Sequence, residues 1–178
     1  ALRDRQFAPA LELARRAVRG DAADPDAAYV EGEALRCLAL EAGDTTRAAE
    51  PRREAVAAFE RGLKIFPRDV RLLLKLGQVL DDLGEVTRAT DCLEQALAAA
   101  PNSGLVHACL GLHWHRQWEL GKAERFYHSA QSLGEALLSP AGLHDLERDR
   151  AIIRRNDAFS DLRPDRTDHE RVSASAVK

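Results

Sequence analysis

His107, His113, His115 and His128 lie close together in the chain, two of them flanking an aromatic in the run Leu112-His113-Trp114-His115. Grouped imidazoles are the raw material of a zinc site or of acid–base catalysis near neutral pH. Their spacing argues against both. On a helix, residues two apart point about 200° away from one another, and helical zinc sites use pairs four apart. His113 and His115 therefore cannot chelate one ion, and no metal or cofactor is expected. Glu31-x-Glu33 and Asp81-Asp82 offer the paired carboxylates that acid–base or glycosidic chemistry needs. These also diverge on a helix, and are read as solvated faces. No serine or cysteine stands in a nucleophile elbow, and the glycines form no phosphate-cradling loop. The chain is read as catalysing nothing itself.

Cys37, Cys92 and Cys109 are far apart, odd in number and set among apolar neighbours, the pattern of free buried thiols in a reducing, cytoplasmic compartment. Arg15-Arg16 and Arg154-Arg155 are short basic pairs with acidic residues nearby, and the formal net charge is −3. Nucleic acid is therefore not the expected partner. No apolar run approaches the roughly 20 residues of a membrane span.

The elements that carry these side chains are helical. Hydrophobic residues make up 45% of the 178 positions and aromatics 5%, with alanine, leucine, glutamate and arginine dominant, a mixture that favours helix over strand. A 34-residue period then appears. Counting back from Pro101, the sequence holds Leu76-Gly77, Leu80, Gly84, Ala89, Leu93 and Ala96. One period later stand Leu110-Gly111, Trp114, Ala123, Tyr127 and Ala130, with Glu135 at the expected proline. Ala89, Leu93 and Ala96 form a stripe that can pack on a preceding helix opened by Gly77.

An earlier copy holds Gly32, Leu35, Ala55, Phe59, Gly62 and Pro67, but with longer intervals. Gly32 to Gly43 spans 11 residues where Gly77 to Gly84 spans 7, and Gly43 to Ala55 spans 12 where Gly84 to Ala89 spans 5. The excesses of 4 and 7 residues are close to one and two helical turns, so both helices lengthen without rotating their buried faces. The second of these helices is expected to start at Pro51, since proline suits a first turn.

The spacing resembles the tetratricopeptide repeat (TPR), whose pattern is L-G-x-x-Y in a first helix and A-x-x-x-F in a second, followed by a small residue and a proline. The fold expected is all-α: a right-handed solenoid of αα-hairpins with a C-terminal capping helix. Residues 1–24 would supply only the second helix of a partial repeat, as if the start were truncated. Residues 25–135 would form three repeats, residues 139–159 the cap, and residues 160–178 a polar tail or linker. Expected helices run Ala28 to Ala42 and Pro51 to Phe66, Val70 to Leu83 and Val86 to Ala99, Ser103 to Trp118 and Gly121 to Leu133. Leu76, Leu80, Leu93, Leu110, Trp114 and Tyr127 should be inaccessible. Ser139-Pro140 should cap the last helix, with Leu143, Leu146, Ile152, Ile153 and Phe159 on its apolar side. Trp118, which falls one period after Gly84, is expected to fill a gap between hairpins or else to stand at an edge as a partner anchor.

In this family the first helices line a concave groove that binds a protein or peptide. The resemblance places Asp26, Tyr29, Glu33 and Arg36 on it from the first repeat, then Arg71, Leu74, Gln78 and Asp81, then Leu105, Ala108, Leu112 and His115. Leu74, Leu105 and Leu112 should expose an apolar strip, with the tail as one cover for it. Some members clamp a chaperone's C-terminal carboxylate. Arg71 and Lys75 resemble part of that set, while Tyr29 and Val30 stand where basic or amide groups belong. Self-association, and an accessory role beside a catalytic domain in a larger transferase or hydroxylase, are the other readings left open.

Overall fold

The computed structural model describes residues 7–21, 24–43 and 45–161, so most of the expected tail lies outside the described residues. Among them the chain forms helices and no strand: α1 (Phe7–Gly20), α2 (Pro25–Glu41), α3 (Thr45–Ile65), α4 (Val70–Asp82), α5 (Val86–Ala99), α6 (Gly104–Arg116), α7 (Leu120–Ser132) and α8 (Leu138–Asp161). Consecutive helices pack as neighbours, and α2, α4, α6 and α8 also touch in series. That second set of contacts brings the first helix of each hairpin into one inner layer, as in an αα solenoid.

Local sequence explains where the inner helices start. The Asp24 carboxylate accepts from the N–H of Asp26 at 2.9 Å, ahead of Pro25 in the first turn of α2. Asp69 caps α4 through the N–H groups of Arg71 and Leu72, and Ser103 caps α6 through that of Val106. Each satisfies amides that the helix itself leaves unpaired.

The inner and outer helices meet where a glycine faces a large side chain. A Cβ on Gly77 would lie 2.9 Å from Leu93 Cγ, and one on Gly111 would lie 2.5 Å from Tyr127 Cδ1. Gly32 meets Phe59 in the same way. Leu76, Leu80, Leu93, Leu110 and Tyr127 are buried as expected, but Trp114 is only partly so. Its ring packs on the edge of the α7–α8 cluster and carries Lys122 Nζ 4.1 Å from its centroid, an arrangement that requires one face to stay open.

Three further expectations are corrected. The second helix of the long hairpin begins at Thr45, and Pro51 lies inside it. Pro51 gives up the amide that would bond to the Arg47 carbonyl, yet buried Ala48 anchors the turn before it. The cap of α8 is Glu135, not Ser139: its carboxylate accepts from the N–H groups of Leu137, Leu138 and Ser139 at 2.9, 2.8 and 2.6 Å. The Ser139 hydroxyl instead donates back to the Glu135 carbonyl. On α8, Leu146 is buried and Leu143 packs beside it, but Ile152 and Ile153 are exposed. The Phe159 side chain lies outside the described residues.

Burial works against the Glu135 carboxylate, but the three backbone donors outweigh it and hold its pKa at about 2, below the usual 4.5. Because the folded-state value is the lower one, the cap's contribution is complete above about pH 4.5 and is lost as pH falls towards 2. Glu135→Gln should therefore cost about 0.5–2 kcal/mol at neutral pH. In thermal unfolding followed from pH 7 to pH 2.5, its difference from wild type should shrink below pH 4.5.

Candidate functional site

The residues with the greatest potential for chemistry turn out to tie helices together. His113 is buried between α4 and α5, its Nδ1 lying 2.8 Å from the Asp81 carboxylate and its Nε2 2.9 Å from the Thr90 hydroxyl. His115 Nε2 reaches Asp149 of α8 at 3.1 Å. His107 Nε2 donates to the Pro101 carbonyl at 2.8 Å, and His128 is exposed. Among the described residues no group of three or more His, Cys, Asp or Glu is placed to hold a metal ion.

The acidic pairs diverge too, although they are not the solvated faces expected. Glu31 turns outward to Arg61 of α3 and Arg15 of α1, while Glu33 turns to Arg36 and, across to α4, to Lys75. Burial alone would raise the Glu33 pKa, but these two cations outweigh it and hold the carboxyl below its ordinary value. Asp82 pairs with Arg116 at 2.9 Å. These pairs add charged ties between helices that also share an apolar core.

These ties divide the expected groove into two unlike halves. In the half formed by α2 and α4, Arg71 bonds to Asp26 at 2.8 Å and to Asp69, with its guanidinium carbon 5.5 Å from the Tyr29 ring centroid. The clamp-like pair Arg71 and Lys75 is thus engaged within the chain. Asp81 is withdrawn from the groove into its bond with His113. Leu74 is withdrawn as well. It is 5% exposed and packs with Val106, Cys109 and Leu110, because α6 lies directly against that face of α4.

The other half keeps its apolar side chains open. Leu105 and Leu112 are 51% and 40% exposed on α6. Beside them Gln78 and His115 line a recess with Leu138, Ala141 and Asp145 of α8. The α8 contributors were not read from the sequence. Their signal is one of position: Leu138, Ala141 and Asp145 recur at helical spacing on the helix that follows Tyr127, and Gly142 lies against the hydroxyl-bearing end of that ring as Gly111 lies against its Cδ1–Cε1 edge.

Trp118 does not fill a gap. It is 65% exposed and has φ 60°, the left-handed position that Gly84 (φ 76°) takes one repeat earlier. A bulky residue costs about 1–2 kcal/mol there, while glycine carries an entropic penalty of roughly 0.5–1 kcal/mol. Trp118→Gly should therefore raise stability by about 0.5–1 kcal/mol in urea titrations. A loss of that size would mean that the indole packs on the fold.

The model of the tetratricopeptide-repeat family matches residues 39–111, from the end of α2 into α6. Residues 39–111 carry tetratricopeptide repeats. Solved structures agree. A thermophilic TPR protein of Thermus thermophilus aligns with a TM-score of 0.72 at 25% identity, over 84% of this chain and 74% of that one. MamA of Desulfovibrio magneticus RS-1 aligns at 0.59 and 22%, over 84% and 89%. The first TPR domain of Spaghetti (RPAP3), in a structure with the HSP90 peptide SRMEEVD bound, aligns at 0.52 and 16%, over 67% and 93%. A search of curated proteins finds no match. The TPR fold is generally a non-catalytic scaffold for protein–protein contacts, and no described helix of this chain is long and apolar enough to cross a membrane.

Proposed function

We propose that this TPR chain is a non-catalytic scaffold holding a segment of another protein in its concave groove, chiefly along α6 and α8. The observation that carries the reading is the pair Leu105 and Leu112, exposed on the inner layer beside the recess that α8 completes. Apolar side chains left open on a concave surface commonly mark a contact site. The same fold accommodates a peptide in the RPAP3 structure. Three unpaired cysteines, Cys37, Cys92 and Cys109, suit a reducing, cytoplasmic setting.

Among the sequence candidates, Leu105, Leu112, Gln78 and His115 are the groove contacts of this reading. Tyr29, Arg36, Arg71 and Glu33 shape its charged end through the bonds described above. A photo-activated cross-linker replacing Leu105 tests the assignment, with one replacing exposed Gln95 on α5 as the control. Adducts to a partner from position 105 and none from position 95 are expected. The reverse pattern would move the contact surface to the outer layer.

A further inference from the structure

Between α6 and α8 the groove deepens to a recess of about 230 Å³. Ala108 and Leu112 form one wall, and Leu138 and Ala141 the other. Gln78 and His115 border it as well, and two further polar groups bear on what it could hold. Tyr127 lines the recess with its side chain 1% exposed, and no described side chain or carbonyl bonds its hydroxyl, which is not among the fully buried orphaned polar atoms. The second group is Asp145, the one carboxylate among the described lining residues, which include no lysine or arginine. Burial, and next the Asp145 charge, push the Tyr127 phenol up to about 12, so it is a neutral hydroxyl at physiological pH.

We infer that this recess seats one basic side chain, lysine or arginine, of the partner segment; the inference rests on the groove reading above. A methylene stem can lie against Leu112, Leu138 and Ala141 while its cationic head meets the Asp145 carboxylate and the Tyr127 oxygen, as long basic side chains do on apolar surfaces. Asp145 has local partners in Arg148 at 3.2 Å and His144 at 3.9 Å, but all three side chains are about half exposed or more. Such surface pairs are worth about 0–1 kcal/mol, so an incoming cation can displace them. His115 is committed to Asp149 and does not compete. A leucine would match the walls yet offer nothing to the Asp145 carboxylate, and a glutamate would be repelled by it.

The test uses the full chain labelled with ¹⁵N and four probes: the N-acetyl amides of arginine, lysine, leucine and glutamate. Arginine and lysine amides should give saturable amide shifts at Leu112, Ala141 and Gly142, and the other two should not. Asp145→Asn should weaken this binding about tenfold, the range of a lost charged hydrogen bond. Tyr127→Phe, which removes only the unpaired hydroxyl, should weaken it by about threefold with the fold intact. Equal or stronger shifts with leucine amide, or no effect of Asp145→Asn, would overturn the inference. If basic amides fail at the recess while a partner still cross-links to position 105, the groove reading stands and this assignment falls. If position 105 also fails to cross-link, both fall.

Discussion

Leu93→Ala should lower the free energy of unfolding by about 2–5 kcal/mol, measured by urea denaturation with the m-value checked for constancy. Leu93 is 1% exposed and belongs to a cluster with Leu73, Leu74, Val106 and Leu110, so it joins α4, α5 and α6. The side chain above it cannot expand into the space left, because the α4 residue there is Gly77. Nor can α4 easily shift, since Asp69 fixes its start and the Asp81–His113 bond fixes its end. The void should therefore persist and its cost approach the upper part of the range. A loss below about 0.5 kcal/mol would mean that the repeat register is wrong.

Gly111→Val should be comparably severe, at about 3 kcal/mol or more. Overfilling a core usually costs about 1–3 kcal/mol when neighbours can yield, and Tyr127 has little freedom to do so. Its ring touches both Gly111 of α6 and Gly142 of α8, and a Cβ on either glycine would overlap it. The ring cannot move off α6 without striking α8, so the extra methyls must separate helices. Gly121→Ala is the control in the same hairpin. Nothing lies within 4 Å of a Cβ there, and alanine favours a helix over glycine by about 0.5–1 kcal/mol, so that variant should hold or gain stability.

The contrast between these two glycines shows what the sequence made legible. Gly77 and Gly111 recur with Leu93 and Tyr127 because close helix approach needs the smallest residue opposite a large one, and the 34-residue period repeats that need. The helices α4 to α7 follow from it almost to the residue. Side chains whose role depends on a neighbouring hairpin are less legible. Leu74 and Asp81 sit at groove positions by helical geometry, but α6 presses on one and His113 captures the other. Trp118 reads either as a filler between hairpins or as an exposed edge residue, and only the left-handed turn it occupies, with the side chain 65% exposed, decides for the edge. Glu135 reads as a lost proline. Its cap on α8 becomes visible only when the helix start lies beside its carboxylate.

The groove reading is tested most directly by titrating a cross-linked partner's contact peptide, by calorimetry, into wild type and Leu112→Asp, with circular dichroism on both proteins. Leu112 is already 40% exposed, so aspartate should leave the helix content unchanged. It should nonetheless weaken binding by about 1–3 kcal/mol, because a charge would be desolvated against the ligand's apolar surface. Unchanged affinity with intact helices would contradict the account and place the contact surface away from α6 and α8.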